Sequence, residues 1–164
     1  MKSLLTFILF LSFLGSYSQK QFPDFEVSDT DKKTSSLNSQ LNKLTIIDLW
    51  ATWCKPCIAE TPFLEEIKKK YGSNLDVIYI SLDFKKERWH QYISKKQSKK
   101  KHFWVPPNSP LVEFISETKT SGDKTTTTWS IPKFFLVDKN GELLSDNCPL
   151  PSSGNLEKLL DKHL

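Results

Sequence analysis

The feature that most constrains this chain is an apolar run containing one acid, which ends in two cysteines separated by two residues. The run covers residues 46–53 with Asp48 inside it, and the cysteines are Cys54 and Cys57. Apolar residues at helical spacing then continue to Tyr71, so the first cysteine lies where a strand is followed by a helix. Unpaired backbone N–H groups and the positive end of the helix dipole favour a thiolate there. The pattern predicts a site for thiol–disulfide exchange.

Two other uses of a cysteine pair are open. A zinc site needs four ligands, or three and a water, but Cys148 stands alone and the three histidines are not closely paired (His90, His102 and His163). A purely structural disulfide would close a very small loop, and small loops gain the least stability from a cross-link. We therefore expect no metal and no other cofactor.

The first residues predict an export signal. Lys2 precedes an apolar segment at residues 4–14, and small residues follow it. We expect cleavage near Ser18 and Gln19, which makes residues 1–18 the signal peptide and residues 19–164 the mature domain. The apolar segment is shorter than the roughly 20 residues that span a bilayer. Export to the periplasm is the prediction, and anchoring by the uncleaved segment is the alternative.

Composition limits the remaining possibilities. Three cysteines are too few for a disulfide framework, and the net charge of +4 indicates no partner by itself. The chain has no phosphate-binding glycine loop and no nucleic-acid motif, so we expect no nucleic acid partner. A cysteine pair exported to an oxidising compartment must be either an oxidant or a reductant that receives electrons from elsewhere.

Strands and helices alternate around the cysteine pair in the predicted order. Residues 44–50 form an apolar, β-branched strand, and residues 77–80 and 134–137 form two more. A helix at residues 54–71 joins the first two strands as a parallel strand–helix–strand unit, which places the cysteines at the C-terminal edge of the sheet. A hairpin turn at residues 138–141 and a return strand make the sheet mixed.

Four weaker elements complete the prediction, with a surface loop among them. Lysines at the end of the helix predicted for residues 85–101 are expected to be solvated, with an acidic partner as the alternative. The elements are a short strand in residues 22–27, a helix at residues 85–101 that buries Trp89, Tyr92 and Ile93, the loop within residues 106–128, and a last helix, capped by Ser152 or Ser153, whose Leu156, Leu159, Leu160 and Leu164 face the sheet.

Three stretches resemble the thioredoxin superfamily, and more closely its exported branch of TlpA/ResA-like proteins. They are Trp-Ala-Thr-Trp-Cys-Lys-Pro-Cys at residues 50–57, Pro62 eight residues after the first cysteine, and Ile131-Pro132 ahead of residues 134–141. The resemblance implies an α/β thioredoxin fold, in which a central mixed β-sheet is flanked by helices, with an N-terminal β extension and an inserted helix and loop region. It also implies a cis peptide bond before Pro132.

The resemblance implies a thiol–disulfide oxidoreductase and gives roles to four residues. Cys54 is expected to be the exposed nucleophile and Cys57 the more buried resolving thiol of a redox-active disulfide. Asp48 should have a raised pKa and exchange protons with the buried thiol, unless it faces solvent at a strand edge. Glu60 matches an acid of the TlpA/ResA-like branch and should influence the same thiol, with a solvated side chain as the alternative.

Substrate contacts are expected around the cysteines and at the predicted cis bond. There the backbone of Ile131 would pair with a substrate segment as an added strand. Lys133 replaces the Thr that is common in the branch, and Cys148 fits no role in the family, so we expect it to be a bystander thiol. The residues expected to contact substrate are Trp53, Lys55, Pro56, Ile131 and Pro132.

The expected substrates are disulfides or dithiols of proteins or peptides. The branch includes proteins of c-type cytochrome maturation, which favours a reductant, and a reductant needs an electron donor in the membrane. The protein itself would touch the membrane only if its N-terminal segment stays uncleaved. Two alternatives stay open: a non-catalytic binding module of the same fold, and a thiol peroxidase, although the Pro that peroxidases carry upstream of the reactive cysteine is missing here.

Overall fold

A mixed β-sheet forms the centre of the computed structural model, which describes residues 20–96, 98 and 100–164. The predicted signal peptide lies outside the described residues. Among those described, seven strands form the sheet in the order β2-β1-β5-β4-β3-β8-β9, and β6 and β7 form a separate hairpin. The strands are β1 (Glu26–Ser28), β2 (Thr34–Ser36), β3 (Leu44–Trp50), β4 (Leu75–Ser81), β5 (Lys101–Trp104), β6 (Glu117–Ser121), β7 (Lys124–Thr128), β8 (Lys133–Val137) and β9 (Leu143–Ser145).

Strand β3 lies in the interior of the sheet and carries the cysteine pair at its end. It pairs in parallel with β4, where Ile46 lies opposite Val77, and antiparallel with β8, where Ile46 lies opposite Leu136. Neighbours on both edges and layers on both faces explain why this strand is a nearly continuous apolar run. The predicted mixed sheet and N-terminal β extension are confirmed.

Helices and loops cover both faces of the sheet. Side chains alternate along β3, so Ile46, Asp48 and Trp50 face one side while Ile47 and Leu49 face the other. The first side packs against α1, α2 and α4, and the second packs against α3 and the N-terminal segment. The helices are α1 (Lys55–Tyr71), α2 (Lys86–Lys96), α3 (Pro110–Ile115) and α4 (Asn155–Leu160).

Helix α1 is long enough to reach from the cysteine pair across the sheet. It continues through Pro62 for two more turns, so the helix does not end at this proline. It buries Cys57, Leu64 and Ile67 against the sheet. Gly72, with φ of 55°, ends it, and the Gly72 N–H donates to the carbonyl of Lys68.

The predicted helix at residues 85–101 is too long. Helix α2 ends at Lys96, and Lys101 begins β5, whose backbone pairs in parallel with β4. The prediction that the terminal lysines are simply solvated is wrong for two of them. Lys101 contacts Asp76 at 2.6 Å, because it begins β5 beside β4, the strand that carries Asp76. Lys100 pairs with Glu65 of α1.

The predicted surface loop within residues 106–128 instead contains α3 and the β6–β7 hairpin. All ten residues of the two strands are exposed, and the threonine hydroxyls of Thr118 and Thr127 contact each other at 3.0 Å. With polar residues on both faces, the hairpin lacks the apolar alternation that marks a half-buried strand. Threonine still favours extended backbone.

The last helix is shorter than predicted. Leu156 and Leu160 are buried as expected, but α4 ends at Leu160, which leaves Leu164 exposed. Ser153 Oγ accepts the Asn155 N–H at 3.2 Å, whereas Ser152 contacts α1. No described helix has the length and apolar character that crossing a membrane requires.

Candidate active site

Cys54 and Cys57 form a disulfide at the first turn of α1. Cys54 is the residue that caps the helix, and its Sγ accepts the Cys57 N–H at 3.2 Å. The Cys54 N–H donates to the Ala51 carbonyl at 3.0 Å, which forms the tight turn between β3 and the helix. Pro56, in the first helical turn, has no N–H to donate. One backbone donor therefore reaches the first sulfur, together with the field of the helix dipole.

The expectation that Cys54 is exposed is wrong for this oxidised form. Cys54 is 4% exposed and Cys57 is 1% exposed. The disulfide turns the first sulfur toward the helix, and both cysteines pack in one apolar cluster with Trp50 and Leu64. Cys54 is still the more accessible of the two, and exposed residues, Trp53 and Lys55, flank it on both sides.

Asp48 lies inside the protein on the side of β3 that faces α1. It is 2% exposed, and its Oδ1 has no hydrogen-bond partner. Burial raises the pKa of Asp48 to about 8, and the negative charge of Glu60 adds to the rise. The alternative of a solvent-facing Asp48 is excluded. A carboxyl with this pKa can take up and release a proton near neutral pH.

Glu60 is held by the segment before α4. Its two carboxylate oxygens accept the Ser152 N–H at 2.9 Å and the Ser152 hydroxyl at 2.8 Å. Glu60 is therefore neither freely solvated nor bonded to a cysteine. Its charge acts on Asp48, and Ser152 fixes the position of that charge.

Asp83 is a site residue that the sequence pattern did not predict. Its carboxylate accepts the Thr52 N–H at 3.0 Å, the Thr52 hydroxyl at 2.6 Å and the Ser81 hydroxyl at 2.7 Å. Asp83 is buried and follows β4, whose C-terminal end lies at the same sheet edge as that of β3. An acid directly after a neighbouring parallel strand is the signal that could have identified it. It fixes the turn that leads into Cys54.

The residues expected to contact substrate lie in two segments. Trp53, Lys55 and Pro56 are exposed on the turn and first residues of α1. The Ile131–Pro132 peptide bond is cis, as the resemblance implies, and both residues are partly buried. Ile131 packs against the apolar cluster that contains the two cysteines.

Two further aromatic side chains lie against Trp53. The ring of Phe84 stacks on it with centroids 6.1 Å apart and planes 12° apart, and the ring of Trp129 lies 6.3 Å away. Trp50, by contrast, is buried and packs against Tyr92. The sequence does not predict a site role for Phe84 or Trp129, because they lie in connections that carry no periodic pattern.

Neither the Cys148 thiol nor a histidine ring is hydrogen-bonded to Cys54 or Cys57 within the described residues. Cys148 is a buried free thiol, and burial raises its pKa to about 11 despite a hydrogen bond from Ser145. Burial also lowers the pKa of His102 to about 4, with a smaller effect from Lys100. The described residues contain no group of three side chains that could hold a metal ion.

Comparisons with known proteins agree with this site. A family model described as thioredoxin-like matches residues 42–143. The chain is 30% identical to the thiol-disulfide oxidoreductase ResA of Bacillus cereus over 144 residues, which are 87% of this chain and 76% of the relative. It is 25% identical to the thioredoxin-like protein YneN of Bacillus subtilis over 148 residues, 90% of this chain and 81% of the relative.

Solved structures give the same result for the fold. A thiol-disulfide oxidoreductase from Bacteroides vulgatus superposes with a TM-score of 0.71 at 29% identity, covering 88% of this chain and 94% of that one. A thiol-disulfide oxidoreductase from Bacteroides fragilis has a TM-score of 0.63 at 21% identity, covering 85% of this chain and 99% of that one, and supports the fold alone. The chain therefore belongs to the thioredoxin-like family, in its ResA-like branch, and is a thiol–disulfide oxidoreductase.

Proposed function

We propose that the protein is an exported reductant of disulfide bonds in other proteins, acting through Cys54 and Cys57. The observation that carries the proposal is the disulfide at the start of α1, placed on the same side of β3 as the buried acid Asp48. The ResA relative is a thiol-disulfide oxidoreductase, which supports the reaction class.

The surroundings of Cys54 favour reduction over oxidation. Oxidants of this fold stabilise the thiolate strongly, which raises the potential from about −270 mV toward about −120 mV. Here one backbone N–H reaches Cys54 Sγ, Pro56 supplies none, and the exposed Lys55 is screened by solvent. A modestly stabilised thiolate gives up its electrons readily.

The reaction is a two-electron exchange in two steps. In the reduced protein, the Cys54 thiolate attacks one sulfur of the substrate disulfide, forming a mixed disulfide and releasing the other substrate sulfur as a thiolate that takes a proton. Cys57 then loses its proton and attacks Cys54 Sγ, which re-forms the Cys54–Cys57 bond and releases the second substrate thiol. The protein is left oxidised and the substrate carries two thiols.

Asp48 takes the proton from Cys57 in the second step, in this proposal. The support is its burial on the face of β3 toward α1 and a pKa of about 8, which makes proton uptake and release possible near neutral pH. Glu60 assists from its position on Ser152, because its negative charge makes the Asp48 carboxylate a stronger base. Neither acid needs to touch the substrate.

Substrate segments would lie between the start of α1 and the loop at Pro132. Trp53, Lys55 and Pro56 border the cysteines on one side, and Ile131 offers backbone groups for an added strand on the other.

Export completes the proposal. Residues 1–18 act as the signal peptide, residues 19–164 form the mature thioredoxin-like domain, and the periplasm is the destination. In that oxidising compartment, a donor in the membrane must reduce the Cys54–Cys57 disulfide after each cycle. Retention by residues 4–14 would tether the same domain to the membrane.

The reduction potential of the cysteine pair tests the direction. Tryptophan fluorescence in defined thiol–disulfide buffers should give a value near or below about −250 mV. A value near −120 mV would make the protein an oxidant. A pair that never titrates would identify a binding module instead.

Trapping tests the two cysteine roles. Cys57→Ser should accumulate a mixed disulfide between Cys54 and a substrate protein, because the resolving thiol is missing. Cys54→Ser is the matched control and should trap none. Equal trapping by both variants would contradict the assignment.

A further inference from the structure

We propose that the protein prefers disulfides whose cysteine is flanked by an aromatic side chain and acidic residues, and that an aromatic platform makes this selection. The platform consists of Trp53, Phe84 and Trp129. This inference rests on the proposed function, since it names the substrate class of the same cysteine pair.

The platform is exposed beside the disulfide. Trp53 adjoins Cys54 in sequence and is 45% exposed, and Phe84, which stacks on it, is 65% exposed. The partly buried Trp129 has its ring centroid 6.3 Å from that of Trp53 and lies two residues before Ile131. Grouped large apolar side chains on a surface mark an interaction site rather than a chance exposure. These three rings come from three separate segments that all reach the site.

Hydrogen bonds hold the Trp53 and Phe84 segments of the platform in place before any substrate arrives. The Asp83 carboxylate binds Thr52, the residue before Trp53, and Asp83 itself precedes Phe84. The indole N–H of Trp104 donates to the Asp83 carbonyl at 2.8 Å. The stacked rings of Trp53 and Phe84 therefore lie on segments that are joined by hydrogen bonds. Little conformational entropy is lost when a partner binds.

A cleft at the platform is shaped for an apolar side chain. It opens between Phe84 and Trp129 and has a volume of about 70 Å³. An aromatic side chain next to the substrate cysteine can place its ring edge in the cleft and its face against Phe84, an arrangement that aromatic pairs prefer. The other walls are Leu82, Val105, Pro106, Pro107 and Val112.

Positive charge borders the platform. Lys55 follows Cys54, and Phe84 is followed by Lys85, Lys86, Glu87 and Arg88, which together carry an excess of positive charge. Lys55 and Lys85 are exposed, and neither forms a salt bridge within the part of the chain that the structure describes. Unpaired surface cations attract acidic partners and steer their approach. The partner is therefore an acidic segment with an aromatic residue at its cysteine.

Synthetic peptides closed by one disulfide test the selection. The probe is Asp-Glu-Phe-Cys-Gly-Ser-Gly-Cys-Gly, and its twins carry Ala in place of Phe, or Lys-Lys in place of Asp-Glu. Reduction by the reduced protein is stopped with acid and followed by mass spectrometry. The probe should react about fivefold to tenfold faster than the alanine twin. It should also react faster than the lysine twin, with an advantage that falls as salt is added.

Two phenylalanine variants assign the effect to the platform. Phe84→Ala should reduce the preference for the probe over the alanine twin to less than about twofold, because the stacked ring and one wall of the cleft are lost. Phe63→Ala removes another exposed phenylalanine, which is 44% exposed on α1, and should keep the preference. Both side chains are exposed enough for the variants to fold.

The possible outcomes separate this inference from the proposed function. Equal rates for the probe and the alanine twin, or a preference that survives Phe84→Ala, would overturn the inference while the protein still reduces disulfides. Failure of the reduced wild-type protein to reduce any of the three peptides would count against the proposed function itself.

Discussion

Replacing Asp48 with asparagine is expected to stabilise the oxidised protein, and to do so far more at neutral than at acidic pH. Burial, assisted by Glu60, raises the pKa of Asp48 from 3.8 to about 8. In the unfolded chain the carboxyl has its ordinary pKa, so between about pH 4 and pH 8 the folded protein holds a proton that the unfolded chain has lost. The contribution of this group to stability is complete below about pH 4 and is lost as the pH rises toward 8.

The size of the effect follows from the two pKa values. At about pH 7, roughly three pKa units above 3.8, ionisation favours the unfolded wild-type chain by about 4 kcal/mol. Asparagine resembles the protonated acid in shape and does not ionise, so the variant lacks this destabilisation. At about pH 4 the destabilisation of the wild type by ionisation of Asp48 is less than about 1 kcal/mol. Packing differences of asparagine act at both pH values, so the stabilisation should differ between them by about 3 kcal/mol.

Urea denaturation of the oxidised wild type and of Asp48→Asn at the two pH values measures both free energies of unfolding. Asp31→Asn, in the exposed turn between β1 and β2, is the matched control. It should have the same small effect on the free energy of unfolding at both pH values. An equal stabilisation by Asp48→Asn at the two pH values would refute the reasoning. It would mean that the carboxyl titrates in the fold as it does in the unfolded chain, and the proton-exchange role would lose its physical basis.

The core, the second acid and the third cysteine each give a further prediction. Leu64→Ala should lower the free energy of unfolding in urea by about 2–5 kcal/mol, because Leu64 is fully buried, and a loss below about 1 kcal/mol would contradict that packing. Glu60→Gln should lower the Asp48 pKa from about 8, so the loss of stability on raising the pH should end at a lower pH and be smaller in total; an unchanged profile would show that Glu60 does not act on Asp48. Iodoacetamide should label Cys148 only after unfolding, since burial raises its thiol pKa to about 11; fast labelling of the native oxidised protein, detected by mass spectrometry, would disprove its burial.

Local pattern was enough for the parts of the fold that surround the cysteines. The strand before Cys54, the helix after it and the strand that follows each have their own periodicity, and chain order makes them a parallel unit. The hairpin turn at residues 138–141 was equally clear, because its Asn-Gly pair meets a need for positive φ at Gly141. Pro132 was identified through resemblance, and the bond before it is cis.

Elements without an apolar face could not be found in this way. The β6–β7 hairpin is polar on both sides, and β2 and β5 are short strands near one edge of the sheet. Their formation depends on neighbours supplied by other segments, so a window of sequence carries little sign of them. For the same reason, the sequence pattern wrongly extends the predicted helix to the lysines at residues 100 and 101.

The chemistry of this protein can be predicted from the amino-acid sequence, since two cysteines at the start of a helix, an acid within the preceding strand and a proline loop specify thiol–disulfide exchange. The arrangement of that chemistry depends on the folded protein. It buries Asp48 and Cys54, joins Glu60 to Ser152, holds Thr52 with Asp83, and stacks Phe84 and Trp129 on Trp53. The reason is physical: these contacts join residues from separate elements, and burial and hydrogen bonding between distant segments leave no periodic signal in either one.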